Sequence, residues 1–361
     1  MTTNRTMHAA VLHAPGDLRC ESAPVPSIGA GEVLIKVAAC GICASDVPRV
    51  QTVGAHKMPI IPGHEFAGEI VQKAGDAEGP AIGESVTVFP LIPCRRCPYC
   101  EAGAYEVCDS YDYLGSRSDG AYAEFVKAPA WNAIPVPEGV PLEHAALTEP
   151  AAVALHAVRR FDVAGGDIVV VLGAGPIGVL AAQWARAFGA GRVLLVDIVP
   201  EKLDMAAELG FDSCINAQEC DPVAAVIDAT EGIGADLVIE AVGVPQTVAQ
   251  SLRMARKLGR VVLMGNPSAD VALPQKVAHD ILRKQLTIKG TWNSTYAPAP
   301  PSDWHDALAA MRDGTIRIGP LITHRFPLSR VHEAFAMLAA REQPVGRAIL
   351  LPHARPTEEA T

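Results

Sequence analysis

The run Asp167-Ile168-Val169-Val170-Val171-Leu172 passes directly into Gly173-Ala174-Gly175-Pro176-Ile177-Gly178, and then into an alanine-rich amphipathic stretch through Phe188. Few folds accept that succession. An unbroken apolar run, rather than an alternating one, reads as a strand covered on both faces, as in a parallel sheet flanked by helices. The first two glycines of G-x-G-x-x-G permit a tight turn and the close approach of a pyrophosphate to a helix N-terminus, and the third lets helix and strand pack. A second strand, Val193-Leu194-Leu195-Val196, ends at Asp197, 19 residues beyond Gly178. A carboxylate at that place accepts hydrogen bonds from an adenosine ribose and repels a 2′-phosphate, which argues for NAD over NADP. Lys202 either lies against the ribose edge or is a solvated charge. Two more apolar strands, Leu237-Val238-Ile239-Glu240 and Val261-Val262-Leu263-Met264, each follow a helix-like segment. The expectation for this part is an α/β doubly wound parallel sheet of the Rossmann type. The bland alternative is such a domain without its dinucleotide.

The first third of the chain reads differently. Short β-rich runs, Ala9-Ala10-Val11-Leu12 and Glu32-Val33-Leu34-Ile35-Lys36-Val37, are punctuated by Pro24, Pro26, Gly29 and Gly31, and residues 66–71 and 84–89 supply further strands. Next comes Cys94-Arg95-Arg96-Cys97-Pro98-Tyr99-Cys100, then Cys108, a C-x2-C-x2-C-x7-C spacing. Two-residue gaps let successive thiolates converge on one ion, and four thiolates close a tetrahedral shell with no open position, the form of a structural zinc site. A redox or iron–sulfur cluster is the competing reading. With nine cysteines and no export signal, clustered thiols point to metal rather than to disulfides.

Gly63-His64-Glu65-Phe66 places a histidine and a glutamate side by side at the root of a strand. The pair suits a metal ligand with a carboxylate to steer it, or else a satisfied core histidine. Between residues 142 and 160 a helical pattern is interrupted by Thr148-Glu149-Pro150, which reads as a bend, or as a carboxylate at a helix start. Beyond Ala297-Pro298-Ala299-Pro300-Pro301, which reads as a linker, two helix-like stretches and a strand from Arg347 to Leu351 are expected to pack back onto the first domain.

A formal net charge of −10, without a basic run, argues against a nucleic-acid partner. No apolar stretch nears the ~18 residues of a membrane span, and the polar start lacks the core of a signal peptide, so the expected location is the cytoplasm with no membrane partner.

With Cys40-Gly41-Ile42-Cys43-Ala44-Ser45-Asp46, Gly63-His64-Glu65, the four-cysteine lobe and the 173–178 turn in this order, the chain resembles the zinc-dependent medium-chain alcohol dehydrogenases over nearly its whole length. Residues 45–49, 54–56, 111–120, 241–248 and 281–287 carry a likeness to the polyol branch. The resemblance implies a β-rich GroES-like catalytic domain over residues 1–155 and 298–361, and an NAD-binding Rossmann domain over residues 156–297. It implies one structural zinc on Cys94, Cys97, Cys100 and Cys108, and one catalytic zinc on Cys43, His64 and Glu149, the last bound directly or through water. Glu65 and Asp46 would orient those ligands, and Cys40 is left in the core. Ser45 would pass the substrate proton outward, with His56 finishing the relay, touching substrate, or simply exposed on its loop. The nucleotide would touch Gly173, Gly175, Pro176, Ile177, Gly178, Asp197, Lys202, Met264, Gly265, Thr291 and Trp292.

The implied reaction is oxidation of a secondary hydroxyl of a sugar alcohol or sugar-alcohol phosphate to a ketose. Asn293 stands where sorbitol-type relatives carry an arginine, and it is placed with Arg49 and Lys57 in the substrate pocket. Those two cations are the candidates for a phosphate, or else ordinary surface charges. Another secondary alcohol or a diol is the alternative substrate, and a non-catalytic dinucleotide-binding protein the alternative class. A homo-oligomer, dimer or tetramer, is also implied.

Overall fold

The computed structural model describes residues 5–340 and 345–354. Two compact units emerge, one of Met1–Glu149, Thr295–Gly314 and Leu321–Thr361, the other of Pro150–Ser294 and Thr315–Pro320. The divisions therefore fall a few residues before the 155/156 and 297/298 boundaries read from the sequence. The short excursion at 315–320 belongs to the second unit because Gln183 grips it: its Oε1 accepts from the Arg317 N–H at 2.8 Å and its Nε2 donates to the Arg317 carbonyl at 3.3 Å.

In the second unit six parallel strands lie in the order Cys214–Asn216, Arg192–Asp197, Ile168–Leu172, Ala235–Glu240, Ala255–Leu263, Thr287–Gly290. The first strand in sequence is central, and the order reverses between it and Ala235–Glu240. That reversal is the switch point at which open α/β sheets bind ligands, at the carboxyl edge. Val169, Val170 and Val171 are completely buried, as an unbroken β-branched run requires. Four of the crossover helices, Pro176–Ala187, Pro200–Glu208, Pro222–Ala229 and Pro245–Met254, open with proline, whose fixed φ suits a first helical turn that needs no N–H donor.

The first unit is built on a seven-stranded sheet. Its path runs Ile322–Pro327, Arg347–Leu351, Glu32–Gly41, Glu65–Lys73, Ser85–Val88, Ala133–Pro135, with Phe125–Pro129 also paired to Glu32–Gly41. A hairpin of Thr6–Ala14 and Asp17–Pro24 adds a second small sheet. The core between them includes Leu12, Ile35, Phe66, Ile70 and Tyr122. The strand Arg347–Leu351 lies antiparallel to Glu32–Gly41, with Ile349 opposite Gly41, and the Ile42 N–H donates to the Ala348 carbonyl at 2.9 Å. The late strand is thus laid beside the segment that leads into Cys43.

Of the two readings of Thr148-Glu149-Pro150, the helix start holds: it opens Thr148–Val158, and the break lies just before it, after Leu142–Ala145. Pro150 occupies the first turn, where its missing N–H costs nothing, and Glu149 meets the positive end of the helix dipole. No helix among the described residues is long and apolar enough to cross a membrane.

Candidate active site and metal centres

Two clusters of metal-ligating side chains lie in the first unit. The four-cysteine lobe folds around the ribbon of Leu91–Ile92 and Asp112–Tyr113 and the short helix Pro98–Glu101. Its thiols are free. Cys94 Sγ lies 4.0 Å from Cys100 Sγ, and Cys97 Sγ lies 3.9 Å from Cys108 Sγ. Four sulfurs held ~2.3 Å from one centre in a tetrahedron are about 3.8 Å apart, so the lobe fits a zinc ion. Backbone N–H groups of Asp109 and Cys100 hold the Cys97 thiol down to about 6, while burial pushes Cys100 up to about 12. Arg95, in left-handed backbone at φ 57°, lays its guanidinium over Trp131 at 4.3 Å, tying the lobe to the body of the unit.

The second cluster is assembled from distant segments. Cys43 follows the strand Glu32–Gly41, and His64 precedes Glu65–Lys73. Gly63, at φ 98°, brings the chain against the Tyr122 ring, where a Cβ would collide. The ligating atoms of Cys43, His64 and Glu65 lie within 4.8 Å of one another. Glu149, expected as the third ligand, is 7% exposed and stands just outside that group. Its Oε1 accepts a hydrogen bond from the Tyr113 hydroxyl at 3.3 Å. Glu65, expected only to steer, is the carboxylate nearest the other two, and its Oε1 is 3.0 Å from Nη2 of the buried Arg347.

Around them the charge is mostly negative. Burial drives the Glu149 carboxyl up to about 7, against the pull of His64 and with the push of Glu65. Burial works against a charged His64, yet the carboxylates of Asp46 and Glu149 and the Cys43 sulfur raise it to about 10. Burial and the same negative groups lift the Tyr113 phenol well above its ordinary range, so it stays a neutral donor. The Nδ1 of His64 and both Glu65 oxygens are buried without an aligned hydrogen bond among the described residues. A half-buried cysteine sulfur beside a buried imidazole and carboxylates with orphaned atoms forms a site that a divalent cation completes, and the donor types suit zinc.

Asp46, fully buried, anchors the histidine side. Its Oδ2 accepts from the Tyr122 hydroxyl at 2.7 Å and lies 3.6 Å from His64 Nδ1, while Oδ1 is ion-paired with Arg49. Half-buried Arg49 thus spends at least part of its charge on Asp46. Lys57 is exposed and lines a separate cleft of about 650 Å³, with His13, Glu21 and Asp119 on its walls and none of the metal-cluster residues. Ser45 is exposed, and its hydroxyl donates to Cys43 Sγ at 3.3 Å. His56 is exposed on the following loop, with its backbone N–H on the Ser116 carbonyl, and no described hydrogen bond links it to the cluster. Cys40 is buried in its strand, where burial pushes the thiol well up.

In the second unit the glycine turn has the form that nucleotide binding needs. Gly173 is at φ 99°, Gly175 caps the helix that Pro176 and Ile177 open, and a Cβ on Gly178 would strike the Gly173 carbonyl oxygen. Asp197 Oδ2 accepts from the Ala174 N–H at 2.8 Å, so the carboxylate is fixed against the turn. Lys202 sits half-buried in the first turn of Pro200–Glu208. The N–H groups of Met264 and Gly265 both donate to the Glu240 carbonyl at 2.9 Å, and Thr291 N–H donates to the Leu263 carbonyl at 3.2 Å. Thr291 Oγ1 is buried without a described partner, Trp292 is 54% exposed, and Asn293 adopts φ 53°, a conformation asparagine tolerates. These residues follow the carboxyl ends of the sheet's strands, with the glycine turn at the switch point itself and residues 291–293 beyond the edge strand.

Sequence reasoning gave no role to Tyr113, Tyr122, Arg347 or Glu240. Glu240, completely buried at the end of its strand, accepts from the N–H groups of Val242 and Gly243 at 2.9 Å and from the Thr247 hydroxyl at 2.8 Å. Its place as the last residue of an apolar run was a usable signal, since a carboxylate there has to be satisfied locally. Arg347 and Tyr122 gave none, because their partners are far away in the chain.

Residues 29–138 match the alcohol dehydrogenase GroES-like domain, and residues 176–313 match the zinc-binding dehydrogenase family. Galactitol 1-phosphate 5-dehydrogenase of Escherichia coli strain K12 is 34% identical over 347 residues, covering 96% of this chain and 100% of that one. The chain belongs to the zinc-binding dehydrogenases. A crystal structure of galactitol-1-phosphate dehydrogenase from Escherichia coli superposes with a TM-score of 0.89 at 34% identity, over 96% of this chain and all of that one. Erythritol/L-threitol dehydrogenase of Mycolicibacterium smegmatis is 35% identical over 355 residues, 94% of this chain and 96% of its own. An alcohol dehydrogenase from Escherichia coli CFT073, solved with NADH, superposes at a TM-score of 0.87 with 29% identity, over 96% of this chain and 99% of that one. The zinc dehydrogenase's fold is thus a GroES-like domain joined to a Rossmann domain, and its chemistry is that of an oxidoreductase.

Proposed function

We propose that this zinc dehydrogenase oxidises a secondary hydroxyl of a sugar alcohol, or of its phosphate, to a ketose and passes the hydride to NAD. The observation that carries the reading is the convergence of Cys43, His64 and Glu65, with the buried Glu149 carboxylate acting on His64 beside them. Cys43, His64 and Glu149 would hold the catalytic zinc, and Cys94, Cys97, Cys100 and Cys108 the structural one. Bound there, zinc supplies a Lewis acid that lowers the pKa of an alcohol hydroxyl.

The protein's own groups account for the rest. Asp46, fixed by Tyr122 and Arg49, faces His64 Nδ1 and leaves the other ring nitrogen for the ion. Arg347 offsets the charge of Glu65, so the pocket is not swamped by carboxylates. Ser45, exposed and bonded to Cys43 Sγ, is placed to accept the substrate proton and pass it to solvent, with exposed His56 as the next acceptor. The nicotinamide nucleotide, held at the other unit's glycine turn, would supply the hydride acceptor, so that loss of one proton by that route and one hydride would balance as ketose, NADH and a released proton. Asp197 would meet the adenosine ribose with a carboxylate, which disfavours the 2′-phosphate of NADP. Gly173, Gly175 and Gly178 would seat the pyrophosphate, while Met264, Gly265, Thr291 and Trp292 would line its site at the carboxyl edge.

A sugar-alcohol substrate is supported by relatives named for galactitol 1-phosphate and for erythritol and threitol. The commitment of Arg49 to Asp46 and of Lys57 to another cleft favours the unphosphorylated polyol as a second reading. NADH formation on a panel pairing each polyol with its phosphate tests both. Preference for galactitol 1-phosphate supports a phosphate subsite, preference for a free polyol supports the second reading, and no turnover on any polyol refutes the substrate class.

A further inference from the structure

The geometry points to Tyr113 as a positioning residue for the catalytic metal: its hydroxyl holds one oxygen of Glu149, so that the carboxylate meets the ion in one fixed way. The inference rests on the reading that Glu149 serves the catalytic zinc, and it adds the group that decides how.

Glu149 stands in the first turn of Thr148–Val158, and nothing about a helix start fixes which way a glutamate side chain turns. Tyr113 does. Its hydroxyl donates to Glu149 Oε1 at 3.3 Å, which ties one end of the carboxylate to the phenol and limits how the group can turn. Tyr113 is itself held from both ends. Its carbonyl accepts from the N–H groups of Ser116 at 3.2 Å, Arg117 at 2.9 Å and Ser118 at 3.2 Å, and its own N–H donates to Asp112 Oδ1 at 2.7 Å. Its ring stands edge-on to His64 at 5.6 Å and to Tyr111 at 6.3 Å, and Tyr111 carries the Arg117 guanidinium over its face at 4.4 Å. The phenol therefore has little freedom to follow Glu149; Glu149 has to come to it. Groups that orient a metal ligand in this way typically contribute about 10–100-fold to metal affinity.

The test is Tyr113→Phe, which keeps the ring and removes only the hydroxyl, in wild-type and Glu149→Gln backgrounds. Zinc affinity would be measured by competition with a chromophoric chelator, and the ligand field by the visible spectrum of the cobalt-loaded proteins. We expect two metal ions per wild-type chain, a 10–100-fold weaker second ion in Tyr113→Phe with an altered cobalt spectrum, and no further loss when Tyr113→Phe is added to Glu149→Gln. Equal affinity and spectrum in Tyr113→Phe and wild type would overturn the inference, as would an equal loss in both backgrounds. A wild-type chain that takes only one ion would overturn the catalytic-zinc reading beneath it, an outcome distinct from either of these.

Discussion

The two candidate metal clusters of the first unit are made in opposite ways. The cysteine lobe draws all its ligands from residues 94–108, uses one residue type and closes the shell. The other cluster brings Cys43 together with the pair His64 and Glu65 from the start of a different strand, has Glu149 beside them, and surrounds them with Asp46, Tyr113 and Arg347, themselves held by contacts up to 305 residues apart in sequence. A closed, local site stabilises a loop that has little apolar content. An open, dispersed site makes the whole sheet serve its geometry, so its ligands can be tuned one at a time. The difference teaches that function concentrates where local sequence is least sufficient.

Breaking the dispersed site has the larger effect on chemistry. Cys43→Ser is expected to take turnover to background while NADH binding, followed by fluorescence, and the melting temperature stay near wild type. Wild-type rates would refute the metal assignment. Breaking the lobe acts on stability instead: Cys97→Ser should lower the melting temperature by about 10 °C or more, with residual activity in the molecules that remain folded. A full melting temperature would argue against a structural ion.

Arg347 sharpens the contrast, because it is structural in placement and electrostatic in purpose. Arg347→Met leaves Glu65 as an uncompensated buried charge, which costs about 3–5 kcal/mol in denaturant unfolding. Adding Glu65→Gln should restore most of that, and additive losses would show that the two do not act as a pair. The smallest expected change lies in the second unit. Asp197→Ala should lower the preference for NAD over NADP by roughly 10–100-fold, the worth of a charged hydrogen bond and a lost repulsion. An unchanged ratio would remove Asp197 from nucleotide selection.

Much of this was legible in the chain because it is written locally. Gly173 to Gly178 and Asp197 belong to one strand–helix–strand unit, and the lobe cysteines to one loop, so spacing alone carries the geometry. The strand Arg347–Leu351 was also readable from its apolar run, but Arg347 at its head was not, since its partners Glu65 and the Ile42 carbonyl come from the other end of the unit. The pairing of Arg49 was not legible for a like reason: nothing in the sequence shows that Asp46, three residues before it, is buried and faces it. At Glu149 the sequence left a bend and a helix start open, because the choice depends on which side of Pro150 the helix lies.

The most direct test of the account is to remove the more exchangeable of the two zinc ions with a chelator and follow NADH formation from a polyol that the enzyme turns over. The account predicts that activity disappears with loss of one ion per chain while the fold and melting temperature hold, and that added zinc restores it in wild type but not in Cys43→Ser. Full activity after that ion has gone would contradict it.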